Sequence, residues 1–215
     1  MKIYASAALT LLIATPACKR QPPITAAQLP FADDFERAEL GPAWTAAGGV
    51  WKLENGAVVT TGANNAPLFL NVTLPADFVV ELDVKSETPA VDAKIELMTD
   101  GRMHQSGYIF ILGGWSNQIS TIARLDEHGT DRVEKKPTGV VGQKSYHWRV
   151  EKKGGELRWL IDGQPYLTFN DSAPLDGKGN DRLALNNWQN HLRFDNVRVW
   201  AHADAPAVNT ATVAQ

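Results

Sequence analysis

The chain has a single cysteine, Cys18, among its 215 residues. It cannot close an internal disulfide, and no Cys/His spacing supports zinc, so the fold must rest on its core. It also has no excess of positive charge. Its 21 Lys and Arg stand against 24 Asp and Glu, a net charge of −3 that leaves no basic footprint for nucleic acid. No nucleotide, phosphate-binding or redox motif appears, so no organic cofactor is inferred. No apolar run is long enough to span a bilayer, no stretch keeps helical periodicity for three turns, and no repeat is visible. Apolar residues make up 44% and charged residues 21%, the composition of a globular protein whose length suits one domain. A monomer is expected.

The N-terminus reads separately. Lys2 supplies a small positive region, Ala5 to Ala14 form a short apolar run, and Thr15-Pro16-Ala17-Cys18 follows. This has the form of a secretory leader and resembles a bacterial lipoprotein signal, in which the cysteine becomes the lipidated first residue. The expected organisation is a leader over 1–17, lipidated Cys18 with a proline-rich tether over 18–30, a domain over 31–202 and a frayed tail over 203–215. An exported envelope protein with a lipid-anchored membrane attachment follows.

Within the domain, short runs rich in aromatic and β-branched residues alternate with Gly, Asp, Asn and Pro. Strands are expected over Val50 to Leu53, Gly56 to Thr61, Leu68 to Leu74, Phe78 to Lys85 and Ala93 to Met98. Tyr108 to Leu112, Ile119 to Leu125, Arg132 to Lys135 and several runs within Ser145 to Trp200 complete the set. Phe78, Val80, Leu82 and Val84 share an apolar face, with Glu81, Asp83 and Lys85 opposite. Trp44, Trp51, Trp148, Trp159 and Trp200 sit in or beside apolar strands and read as core. The pattern is an all-β, antiparallel β-sandwich of jelly-roll type.

The Asp162-Gly163 turn between strands and the closing Phe194-Asp195-Asn196-Val197-Arg198-Val199-Trp200 resemble concanavalin A-like sandwich domains, whose usual business is carbohydrate. In the laminarinase-type hydrolases of that superfamily, Glu, Asp and Glu occupy alternate positions of one strand, the first as nucleophile and the last as acid/base. Glu81-Leu82-Asp83-Val84-Lys85 offers the first two, but Lys85 stands in the third place. Glu87 lies roughly 20 Å from Glu81 along an extended strand, beyond the ~5–9.5 Å of glycosidase carboxyl pairs. A solvated face with a Glu81–Lys85 or Asp83–Lys85 ion pair is the better reading.

Two other segments carry the candidate chemistry. Trp115 and Asn117 precede Arg124, Glu127 and His128, while Asn187 and Trp188 stand near the end of the domain. Indole faces pack on the C–H face of a pyranose, and amides and charges satisfy its hydroxyls. The Gly113-Gly114-Trp115 and Ala123-Arg124-Leu125-Asp126-Glu127-His128-Gly129 stretches resemble exported sandwich domains related to 3-keto-disaccharide hydrolases. A glycan-binding domain is the first expectation. A glycoside hydrolase or lyase is the second, with Glu127 or His128 as acid/base and Arg124 on a polar substrate group. A structural or protein-partner role is the third. By resemblance, a structural Ca²⁺ is expected at Asp195 with Asp34 and the Asn55-Gly56 turn nearby.

Overall fold

The computed structural model describes residues 27–48 and 51–208. The expected leader, Cys18, most of the tether and the tail from 209 onward lie outside the described residues. Fifteen strands follow in order: β1 (Phe31–Asp33), β2 (Trp44–Ala46), β3 (Trp51–Leu53), β4 (Val58–Thr61), β5 (Leu68–Leu70), β6 (Phe78–Ser86), β7 (Ala93–Thr99) and β8 (Tyr108–Gly113). Then come β9 (Ile119–Arg124), β10 (Val133–Lys135), β11 (Ser145–Lys153), β12 (Glu156–Ile161), β13 (Gln164–Asn170), β14 (Arg182–Asn187) and β15 (His191–Ala201). They form two antiparallel sheets. One has the order β13-β12-β11-β6-β15-β4-β3, with β1 also on β15, and the other β10-β9-β8-β7-β14-β5-β2.

Local sequence explains the turns. Asp162 and Gly163 both take positive φ, 51° and 74°, and join β12 to β13 as a two-residue hairpin loop. Asn55 and Gly56, at φ 50° and 67°, do the same work between β3 and β4. The core lies between the sheets. Phe78, Val80, Leu82 and Val84 of β6 all face it, as their alternation predicts. Trp148 and Trp159 are fully buried there with ring centroids 4.5 Å apart, and Phe110 and Tyr166 pack edge-on to Trp159. Trp44 is core as well, whereas Trp51 and Trp200 are only half-buried.

Two expectations need correction. The tether does not reach Phe31, because Ala27 already donates its backbone N–H to Asn71 at 2.9 Å and bridges Val72. At the other end His202–Asp204 form a 3₁₀ turn rather than the start of a frayed tail. The ion pairs of β6 also differ from expectation. Glu81 pairs with Arg149 at 2.5 Å, Asp83 with His147 at 2.7 Å, and Lys85 with Glu87 at 3.0 Å. The register sets Arg149 opposite Glu81 and His147 opposite Asp83. Directly opposed side chains on neighbouring strands are closer than alternate positions of one strand, so the cross-strand partners win.

The first strands are tied down by one carboxylate. Asp33 accepts hydrogen bonds from the Arg37 guanidinium at 2.5 and 2.8 Å, the Trp44 indole N–H at 2.7 Å and the Phe35 amide at 2.9 Å. Burial alone would raise its pKa, but these donors outweigh it and hold the carboxyl below the usual range.

Candidate functional site

The outward face of the second sheet departs from the usual solvated pattern. Every residue of β7 is buried, including Lys94 and Glu96. Ala93, Ile95 and Leu97 point into the core, so Lys94 and Glu96 point out. The register places Asn186 of β14 and Ile111 of β8 beside Lys94, and Ala184 and Ile109 beside Glu96. Ile109, Ile111 and Ala123 make a small apolar cluster on this face, against which Trp115 packs. Charge and apolar surface thus lie side by side on one sheet face.

Loops from far along the chain cover the charges. Glu96 accepts from the Asn186 amide at 2.5 Å and from the Gln105 backbone N–H at 2.9 Å, and binds His104 Nδ1 at 2.6 Å. Lys94 Nζ donates to Glu127 Oε2 at 2.5 Å and to Asn65 Oδ1 at 2.8 Å. His104 Nε2 is buried without a hydrogen-bond partner and lies 3.7 Å from Glu127 Oε2, linking the two pairs into one network. Such buried charges survive only because each is paired and hydrogen-bonded.

Over this floor opens a cleft of about 520 Å³, lined among others by Asn65, Asp92, Lys94, Glu127, Trp115 and Trp188. Trp188 is 47% exposed at the rim. Trp115 sits in a tight turn, Gly114–Asn117, in which Trp115, Ser116 and Asn117 take φ of 51°, 60° and 64°. Left-handed backbone costs about 1–2 kcal/mol per residue, and local bonds hold it. Asn117 accepts from the Val91 N–H at 2.8 Å, donates to Pro89 O at 2.9 Å, and its carbonyl takes the Thr138 hydroxyl at 2.7 Å. The Arg132 guanidinium lies 5.0 Å over the Trp115 ring, and His128 packs edge-on to it at 5.6 Å.

Asp92 is the outlying acid of the cleft. Burial pushes its pKa up to about 6, aided by the negative charge of Glu127 and opposed by Lys94. No protein group hydrogen-bonds its carboxyl among the described residues.

The residues singled out from the sequence divide clearly. Trp115, Glu127, His128 and Trp188 line one cleft. Arg124 does not join them. It shares the inward parity of Ile122, donates to Asp171 at 2.9 Å and to Ala173 O at 3.3 Å, and pins the loop after β13. Asn117 braces the turn beneath Trp115 rather than lining the cleft, and Asn187 is fully buried, closing its own turn with Asn190 through bonds of 2.5 and 2.9 Å. Asp34 and Asp195 lie at the other sheet. Burial raises the Asp195 pKa first, and the negative charges of Asp83, Glu36 and Asp34 add to it. Asp92, Lys94, Glu96 and His104 were not singled out. Two charged residues alternating on β7 were the available signal, and they read locally as a solvated face.

No protein-family model matches the chain. Over 134 residues, 62% of its length, it is 23% identical to an extracellular exo-α-L-arabinofuranosidase of Streptomyces chartreusis, and it spans 16% of that protein. Its fold is similar to the carbohydrate-binding module CBM66 from Bacillus subtilis, with a TM-score of 0.60 and 18% identity over 74% of this chain and 95% of the module. It is also similar to the Bacillus licheniformis β-glucanase, with a TM-score of 0.59 and 11% identity over 80% of this chain and 97% of that one. The expected fold holds: this is a concanavalin A-like, jelly-roll β-sandwich.

The Asp92 carboxyl yields a stability prediction with a definite sign. A carboxyl raised from 3.8 to about 6 on folding gives stability that is fully present below the unfolded value and lost as pH rises to the folded one. Asp92→Asn removes that loss. Its melting temperature exceeds that of the wild type, with a gain that grows from about pH 4 to about pH 6 and stays level above. Thermal melts across that range check it; a gain that shrinks with rising pH contradicts the assignment.

Proposed function

We propose that the protein engages carbohydrate in the cleft between Trp115 and Trp188. The observation that carries this reading is the pairing of two partly exposed indoles over a floor of amide, ammonium and carboxylate groups, from Asn65, Lys94 and Glu127. Indole faces match the apolar C–H faces of sugar rings, and the floor supplies donors and acceptors to hydroxyls. The names of the fold neighbours, a carbohydrate-binding module and a β-glucanase, and of the arabinofuranosidase relative support the same substrate class. The likeness of the Trp115 and Glu127 stretches to 3-keto-disaccharide hydrolase relatives belongs with this reading. Titration of the protein with arabino-oligosaccharides, β-1,3-gluco-oligosaccharides, mucin O-glycans and 3-keto-disaccharides tests it. Trp188→Ala loses about tenfold in affinity, as expected for ~1.4 kcal/mol of ring contact. Arg124→Ala lowers the melting temperature and leaves affinity intact. Equal affinity of wild type and Trp188→Ala contradicts the reading.

The protein is further proposed to be exported and held at the bacterial envelope by lipid on Cys18. The support is the charged, apolar and small-residue order of the leader up to Cys18. Expressed in a bacterium, the wild type partitions into detergent on phase separation, and Cys18→Ser partitions into water. Identical partitioning removes the anchor.

We also propose a structural Ca²⁺ at Asp195, which the resemblance to sandwich relatives implies. The carboxyl faces Asp83, Glu36 and Asp34, and Glu36 Oε1 comes so close to the Asn55-Gly56 turn that a Cβ on Gly56 would meet it at 2.3 Å. Among the described residues no three His, Cys, Asp or Glu side chains form a metal-holding group, so backbone carbonyls would complete the oxygen ligation. Millimolar calcium raises the melting temperature above that in EDTA; an unchanged melt counts against the ion.

A further inference from the structure

Recognition of a neutral sugar needs exposed aromatic surface and a few hydrogen bonds, yet the floor of this cleft holds far more charge. Lys94 and Glu96 are 1% and 0% exposed, Glu127 is 9% exposed, and His104 stands between the two carboxylates. Desolvating charged groups is costly unless pairing repays it. Two other polar clusters among the described residues are matched within themselves. The Asp33–Arg37 pair closes the first strands, and Glu81 and Asp83 are each matched by a cross-strand cation or imidazole. Among the described residues, Asp92 carries a partly buried carboxyl with no hydrogen-bond or ion-pair partner, and it shares the cleft with a second carboxylate, that of Glu127.

We propose that the cleft hydrolyses a glycosidic bond, with Asp92 as proton donor to the departing sugar oxygen and Glu127 as the base for the attacking water. The inference rests on the carbohydrate reading of the same cleft. In the step, the bond between the anomeric carbon and the bridging oxygen breaks and its electron pair stays on that oxygen, which takes the Asp92 proton. The water oxygen forms the new bond to the anomeric carbon, and its proton passes to Glu127. Solvent then returns a proton to Asp92 and removes one from Glu127, so no oxidant, reductant or further reactant is required.

The surroundings assign different work to the two acids. Glu127 Oε2 is held by the Lys94 ammonium, and Oε1 is left for water. Asp92 is desolvated and held neutral to higher pH than an ordinary Asp. The charged groups facing it are Lys94 on β7 and Glu127 after β9, with His128 on the rim and His104 beyond Glu127. A general acid must carry a proton to give and a general base must present a free oxygen to water, and the surroundings of Asp92 and of Glu127 Oε1 meet those two needs. Glu96 and His104 are positioning residues. Glu96 fixes His104 through Nδ1, and His104 Nε2 lies 3.7 Å from Glu127 Oε2. His128 is exposed, packs on Trp115 and belongs to the rim rather than to the proton transfers.

The test uses the full chain, the oligosaccharide set named above and ¹⁸O-labelled water, with products separated by chromatography and weighed by mass spectrometry. The expected result is a shortened sugar with one ¹⁸O at the new anomeric hydroxyl. Asp92→Asn and Glu127→Gln each lower the rate by about 10²–10⁴-fold while still binding the sugar. Asp92→Asn regains rate on an aryl glycoside whose leaving group needs no proton, which a merely structural role would not give. The wild-type rate falls as pH rises through about 6, and Asp92→Asn lacks that fall. Binding without product overturns hydrolysis and leaves the binding reading standing. Neither binding nor product overturns both. Product formed at wild-type rate by Asp92→Asn and Glu127→Gln overturns the assignment of the acids.

Discussion

The contact on which the cleft depends is the ion pair between Lys94 and Glu127. Lys94 leaves the outward face of a central strand, and Glu127 arrives from a loop 33 residues further on. With Asn65 as third partner, the ammonium draws two separate segments over one sheet. A buried ammonium without those oxygens would be strongly unfavourable, so the loops have one good arrangement and the cleft one shape. Trp115 is tied into the same arrangement. Arg132, which donates to the Glu127 carbonyl at 2.5 Å, also lies over its ring.

The two sheets use the same kinds of residue to different ends. On the first, Glu81, Asp83, His147 and Arg149 meet across adjacent strands in direct register, and each charge finds its partner within the sheet. On the second, Lys94 and Glu96 stand beside Ile111 and Ile109, and no cation or anion lies opposite them. Their partners must come from loops. That difference in register, rather than any difference in composition, sets a cleft with polar floor and apolar wall on one face of the sandwich and a self-satisfied ionic surface on the other.

Much of the fold was legible because its signals are local. The alternation of β6, the Asp162-Gly163 hairpin and the aromatic strands from Ser145 to Trp200 each settle within a few residues. Trp115 and Trp188, which both interrupt the strand pattern among glycines or amides, line one cleft. The charged floor was not legible. Ala93-Lys94-Ile95-Glu96-Leu97 alternates as any half-exposed strand does, and nothing nearby reveals that Asn65, His104 and Glu127 will cover it. Arg124 shows the complementary limit. Which side of the sheet carries the cleft depends on long-range packing, and Arg124 points to the other side. Asn117 and Asn187 have the right chemistry for sugar and spend it on their own backbone neighbours.

The most direct test of the cleft as the carbohydrate site is a map of indole N–H resonances by NMR as oligosaccharide is added to the protein. The seven tryptophans give probes on both sheets and in the core. The Trp115 and Trp188 signals move together and saturate at one concentration, while the buried Trp148 and Trp159 signals stay in place. Shifts confined to Trp51 or Trp200, on the first sheet, would put the sugar elsewhere and contradict the cleft as the site.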